Sequence, residues 1–424
     1  MNMKSFFSLT AFVLLASFAA EGQGWERIYS SLNPNKDFEI KKILPVSDGF
    51  LLLLPRSFPI SFTDNPDFQI AKVNENGVVT WTRTYDFGQE ELAQDMIATS
   101  DGGYAVLYTV YQDIGQTSSR SWWVKLNAQF DTVFTRELEY PGIVINVRAK
   151  KITEQNGGIW IFGDKAAADF GAEMCFVRGY DLNGNDLQKN EWGEPFAKFR
   201  DVEYPGGGDF VAVSDGYPLP GAESKIFMHR YDQTGGTPVW QKELGTPQAS
   251  CVATDICAAP DGGYLIAGAQ YTSGLLIKTD ASGNLLWQKV YPPNTPPYAA
   301  NIYLSISQIA PTNDGTGYWG LSRTYPYISQ LVLIRFDLQG NILWTKPFGP
   351  YSTYTFGRSL ITTTDDGCVI GGSFRRTVQD TIARPYLIKT NGAGETFSSG
   401  VSGLAAYDID SDCTAESDTI PYDS

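Results

Sequence analysis

Asp261-Gly262-Gly263-Tyr264-Leu265-Ile266-Ala267-Gly268, followed by Leu275 to Asn284 (LLIKTDASGN) and Leu285 to Tyr291 (LLWQKVY), is a stretch on which the rest of the chain can be laid. Its Gly-rich turn and following apolar run recur six more times. From Phe50 the steps to the equivalent Tyr104, Ile159, Phe210, Tyr264, Tyr318 and Cys368 are 54, 55, 51, 54, 54 and 50 residues. A period this regular marks seven copies of one supersecondary unit. A second landmark keeps the same register: a polar turn and then an aromatic, at Gly77 and Trp81, Gly236 and Trp240, Gly283 and Trp287, and Gly340 and Trp344. The divergent copies keep Phe130 with Phe134, Gly184 with Leu187, and Gly394 with Phe397. Trp25 falls on the aromatic position too, which reads as a packing residue between units.

Within the fifth copy, turn residues separate four short runs rich in β-formers. They are strand A at Ser250 to Ala258, B at Tyr264 to Gln270, C at Leu275 to Thr279 and D at Leu285 to Tyr291. Near-continuous apolar runs such as Tyr264 to Ala267 fit strands covered on both faces. The expected fold is therefore all-β: a seven-bladed β-propeller of four-stranded antiparallel blades. Trp25 to Tyr29 (WERIY) matches Trp81 to Tyr85 (WTRTY) but has no strands A to C before it, while the seventh copy ends in a degraded strand D at Glu395 to Ser399. An N-terminal strand that completes the last blade would close the ring and cover its open edge.

The turn Ser100 to Tyr104, the strand Tyr386 to Thr390 and the run Gly283 to Trp287 together resemble the tandem propeller repeats of secreted and cell-surface bacterial proteins. That likeness covers about residues 25 to 399 and implies architecture rather than activity, because the fold hosts enzymes, glycan binders and scaffolds alike. A second likeness, through Asp280, Gly283 and Trp287, is to the repeats of quinone-cofactor dehydrogenases. Those enzymes place eight units around the cofactor, with charged and metal-binding groups at the axis. The count of seven here and the lack of an evident set lead to an expectation of no cofactor.

Residues 1–22 read as an export signal, with Lys4, an apolar run from Phe6 to Ala16, and small residues to Gly22. The propeller would then occupy 23–399, and 400–424 an acidic, flexible C-terminal tail. No membrane insertion is expected after removal of the signal, so the protein is placed outside the cytoplasm, secreted or at the cell surface. A net charge of −15 would repel phosphate backbones, which argues against nucleic acid. Five cysteines in an oxidising compartment permit up to two disulfides. Cys251 and Cys257, six apart on one extended strand, would stand about 20 Å apart and cannot bridge each other.

Repetition also sorts scaffold from site, since a binding site should break the symmetry. Strand C of every copy ends in a base, Lys72, Lys125, Arg178, Arg230, Lys278, Arg335 and Lys389, expected to pair with turn acids such as Asp101 or Asp261. The turn acids Asp48, Asp101, Asp261, Asp314 and Asp366 suit tight hairpins. His229, the single histidine, lacks a nucleophile motif beside it and reads as structural. Asp408, Asp410 and Asp412 alternate as in a calcium loop, but Cys413 and Thr419 stand where its glycine and closing Glu belong, so no metal is expected.

What varies is the set of B to C and D to A connections, which share one face of the disc. Loops varying over a rigid scaffold commonly carry recognition. Tyr217, Tyr298, Tyr325, Tyr327, Tyr351 and Tyr354 on that face are the candidate ligand-binding residues, suited to stacking on sugars or gripping a peptide. No catalytic residue is assigned. The expectation is a non-enzymatic extracellular binding or scaffold protein for a glycan or protein ligand. The alternative is an enzyme, acting on polysaccharide or oxidising a small molecule through a quinone, with acids or a cofactor at the central channel.

Overall fold

The computed structural model describes residues 24–29, 38–55, 68–88, 91–111, 118–140, 144–167, 174–192, 197–217, 222–232, 238–246, 248–292, 302–324, 330–349, 353–377, 380 and 383–396. The expected signal at 1–22 and tail at 400–424 lie outside them. Twenty-eight strands and no helix occur among the described residues.

The chain opens with β1 (Trp25–Ile28) and continues as a meander of β2 (Lys42–Val46), β3 (Gly49–Leu54), β4 (Phe68–Asn74) and β5 (Val79–Tyr85). Next come β6 (Glu91–Ala98), β7 (Tyr104–Tyr111), β8 (Ser119–Leu126) and β9 (Thr132–Glu137), then β10 (Val144–Gln155), β11 (Gly158–Ala167), β12 (Met174–Asp181) and β13 (Asp186–Trp192). β14 (Lys198–Gly206), β15 (Asp209–Gly216), β16 (Lys225–Tyr231) and β17 (Trp240–Leu244) precede β18 (Cys251–Ala258), β19 (Tyr264–Gln270), β20 (Ser273–Thr279) and β21 (Leu285–Tyr291). The last are β22 (Ile302–Pro311), β23 (Gly317–Thr324), β24 (Leu331–Asp337) and β25 (Ile342–Phe348), then β26 (Tyr354–Thr362), β27 (Cys368–Arg375) and β28 (Arg384–Thr390).

These strands form six sheets, five of four strands and one of eight. The eight-stranded sheet is two antiparallel meanders, β6–β9 and β10–β13, joined by a single parallel bridge between Asn146 and Ser119. The final sheet has the order β1-β28-β27-β26, with Trp25 opposite Lys389 and Ile28 opposite Tyr386. Of the expected degraded strand at Glu395 to Ser399 only 395 and 396 are described, and they belong to no strand: 391–396 make a turn after β28, and β1 occupies that edge. The physical reason is visible at Gly24, whose missing Cβ leaves room for the Glu395 carbonyl and the Thr396 backbone as β1 enters.

Strands β19, β20, β23 and β24 are buried over most of their length because each sheet packs face to face with its neighbours. The first strand of each meander touches that of the next, from β2 through β6, β10, β14, β18 and β22 to β26, and β26 touches β2. Apolar side chains from opposite ends of the chain meet there, with Ile40 and Ile43 packed in one cluster with Val369 and Leu387. The Ile40 amide donates to the Gly372 carbonyl at 3.0 Å.

Candidate functional site

The repeated bases are framework. Lys72 pairs with Asp48 at 2.8 Å, Lys125 with Asp101 at 2.7 Å, Arg230 with Asp209 at 2.7 Å and Lys278 with Asp261 at 2.8 Å. Lys125, hydrogen-bonded to Asp101, holds that carboxyl down to about 2. In the last copy Lys389 reaches Asp365 rather than Asp366. Arg178 departs from the set. The position opposite the residue after Ile159 belongs to Gly179, on which the Trp160 ring lies, and Arg178 is one place earlier. Side chains alternate along a strand, so that shift turns it to the other face.

The strand-D aromatics are framework too. Each lies on the turn of the following unit, where a Cβ on the turn glycine would come within 2.6 Å of Trp25 at Gly77, 2.7 Å of Trp240 at Gly283 and 2.6 Å of Trp287 at Gly340. These glycines have φ between +74° and +75°, so the turn requires them both for backbone conformation and for space. Where the second copy has Phe130 instead, the residue keeps φ +66° and Trp81 meets its ring edge-on at 4.6 Å.

A set of polar groups that the sequence reading missed stands at one repeated position on the first strand of each meander. β6, β10, β14, β18 and β26 each carry a bulge, and the residue after it is Asp95, Lys151, Asp201, Asp255 and Ser359 in turn. Register places Lys42 and Gln308 at the same position in β2 and β22. Four of the seven accept the amide of the following isoleucine in the next meander. Asp95 takes Ile152 N at 3.2 Å, Asp201 takes Ile256 N at 3.4 Å, Asp255 takes Ile309 N at 2.7 Å, and Ser359 takes Ile43 N at 3.2 Å. Lys42 pairs with Asp95 at 3.1 Å and Lys151 with Asp201 at 2.8 Å. Burial, then the charge of Asp201, pushes the Asp255 carboxyl well above its ordinary value, and the two carboxyls are hydrogen-bonded to each other. Asp201 is kept below its ordinary value against its own burial by Lys151. Aligning the copies backwards from the turn, six residues before Asp48, Asp101, Asp261 and Asp314, would have exposed this set as Lys42, Asp95, Asp255 and Gln308.

Two more carboxylates break the repeat. Asp164 and Asp215 share a position in β11 and β15 where other copies have Pro55, Thr109, Ala269, Arg323 and Ser373. Asp164 accepts from Arg148 Nε at 2.8 Å and pairs with Lys150, while Asp215 grips Arg200 through Nε and, at 3.0 Å, Nη2. Both acids are buried, and their cations are about one-third exposed at the end of the sheets where strand B leads into strand C.

Of the candidate tyrosines, Tyr217 is exposed just after β15 and Tyr354 is partly buried at the start of β26, opposite Arg375. Both stand at the B to C and D to A end of their sheets. Tyr298, Tyr325, Tyr327 and Tyr351 lie outside the described residues, as do the calcium-like segment at Asp408 and Cys413. The other four cysteines are free and buried, so none of these four forms a disulfide. For Cys251 and Cys257 the strand β18 separates them as expected.

His229 is 1% exposed on β16, where other copies carry Val124, Ile277, Ile334 and Ile388. Burial lowers its pKa from 6.5 to about 4. Between those values the unfolded chain binds a proton that the folded chain does not, so stability falls as pH drops from 6.5 towards 4 and then levels. A shift of that size corresponds to about 3 kcal/mol. Urea unfolding at pH 7 and pH 4.5 should therefore show a larger acid loss for the natural chain than for His229→Ile. Equal losses would remove the histidine from the account.

No protein-family model matches the chain, and no curated protein sequence matches it. Among solved structures it is similar to virginiamycin B lyase from Staphylococcus aureus, at 13% identity and TM-score 0.53, covering 87% of this chain and 99% of that one. A catalytically inactive variant of that lyase, solved with quinupristin, gives 12% identity and TM-score 0.52, covering 87% of this chain and 100% of that one. The β-propeller domain of the trilobed protease from Pyrococcus furiosus is similar at 10% identity and TM-score 0.47, covering 84% of this chain and 98% of that one. At these identities the likeness shows the fold alone: an all-β repeat protein whose structural neighbours are β-propellers.

Proposed function

We propose that the chain is a secreted, seven-bladed β-propeller closed by its N-terminal strand, and that it is a non-enzymatic binding or scaffold protein. Its ligand, a glycan or a protein, is recognised through the face that carries the B to C and D to A connections. Support for the ring comes from the seven successive runs of four strands, counting β1 with β26–β28, and from the last-to-first contacts, which repeat those of every other step. The observation that carries the binding role is the employment of the ionisable groups. The strand-C bases other than Arg178 hold turn acids, and the acids of the first strands hold backbone amides or each other. Groups so engaged are not poised to transfer a proton. Support for the loop face comes from the unrepeated pairs Arg148 with Asp164 and Arg200 with Asp215 at that end.

One observation favours the enzyme reading: Asp255, pushed up by burial, stands beside Asp201, held down by Lys151, and carboxyls driven apart in this way are the pairing a general acid and base would need. A glycan-array and pull-down screen on the mature protein separates the two. The binding reading expects a retained ligand, lost in the Tyr217→Ala, Tyr354→Ala double variant and kept in Asp255→Asn. Turnover of a captured ligand that Asp255→Asn abolishes would replace it with the enzyme reading.

A further inference from the structure

Arg178 faces the meander β6–β9, and directly opposite it on β13 stands Lys189. Like charges in cross-strand positions repel. Among the described residues neither forms an ion pair: Arg178 donates Nη2 to the Glu139 carbonyl and lies 4.9 Å from the Tyr140 ring centroid. Both line an open groove of about 760 Å³ between the second and third meanders, with Glu139, Tyr140, Asp186 and Gln188 on its walls. That volume is of ligand size. Arg178 Nε and Tyr140 Oη are buried with no hydrogen-bond partner among the described residues, a costly state for polar atoms. The neighbouring contact of Arg136 with Asp186 at 3.3 Å follows the strand-D pattern of Arg83 with Asp131 and is framework. The two cations have no such counterpart.

We propose that this groove binds an acidic sugar, with the carboxylate of a uronic-acid unit between Arg178 and Lys189. Glu137, Glu139 and Asp186 line the same groove. A dense polyanion would be repelled by them, whereas ring hydroxyls donate to carboxylates. A ligand with one carboxylate and several hydroxyls satisfies both sets of groups. The groove takes Glu139 and Tyr140 from the D to A connection after β9 but none of the candidate tyrosines.

Calorimetric titration of the full chain with oligomers of galacturonic and glucuronic acid, and with their methyl esters, tests the assignment. The acids should bind, more weakly as salt rises, and the esters should not. Because Lys189 is exposed, Lys189→Ala leaves the fold intact; it should weaken binding about tenfold, and addition of Arg178→Ala should abolish it. Binding should survive Tyr217→Ala with Tyr354→Ala, which separates this groove from a site at those tyrosines. Equal affinity for acids and esters, affinity unchanged in Lys189→Ala, or no saturable binding of any acid would overturn the proposal, as would binding of acidic peptides in place of the sugars.

Discussion

Lys151→Met is expected to lower the unfolding free energy by about 3 kcal/mol, the low end of the range for removing one partner of a buried pair. Its ammonium is 2.8 Å from Asp201, and although burial works against the charge, the carboxylates of Asp201 and Asp95 raise its pKa above the ordinary lysine value. The side chain is 30% exposed, which limits the loss, but Asp201 is only 5% exposed and would keep a charge without its counter-ion. Adding Asp201→Asn should restore much of the loss, because the amide oxygen can still accept from Ile256 N and the charge stranded at 201 is gone. Urea unfolding of the two single variants and the double supplies the cycle. Additive losses would mean that the two side chains are independent and that the polar groups of the first strands are not a connected network.

Trp25→Ala carries the second large effect, about 4 kcal/mol, the cost of truncating a buried tryptophan. The ring is 7% exposed, lies over Gly77, and donates Nε1 to the Glu75 carbonyl at 3.0 Å. Tyr29 adds a hydroxyl bond to the Gly77 carbonyl at 2.7 Å, as Tyr85 does to Phe130 at 2.8 Å and Tyr291 to Gly340 at 2.6 Å in other units. Trp25 therefore joins the two ends of the chain by the same contact that joins consecutive units. Its loss should also raise the rate of unfolding, since closing contacts between distant parts of the chain form late. Thermal and urea unfolding with stopped-flow rates measure both; a loss no larger than that of an exposed substitution would show that β1 does not hold the ring.

The architecture was legible because its signals are local. Strands B and D of the fifth copy begin and end where the turn glycines and the apolar run place them, at Tyr264–Gln270 and Leu285–Tyr291. The tryptophans could be assigned to packing because one large ring at one repeated position needs one repeated partner. Strand A was harder. Its bulge breaks the two-residue alternation, and its polar position holds Lys, Asp, Lys, Asp, Asp, Gln and Ser in turn, so no motif announces it. Arg178 was misread because a base near the end of strand C was counted without its register. A one-residue offset, invisible in a composition pattern, sends it into the groove beside Tyr140. The charged pairs at Asp164 and Asp215 depend on residues 15 and 16 apart meeting across a hairpin, which only the register of β10 with β11 and β14 with β15 reveals.

The proposed closure of the ring by β1 is the central claim, and amide hydrogen exchange tests it most directly. If β1 completes the last sheet, the amides of Trp25 to Ile28 that bond β28 exchange as slowly as those of β27 and β28, and Trp25→Ala speeds all three strands together. Exchange of β1 at the rate of a free chain, with β27 and β28 still protected, would contradict the closed ring.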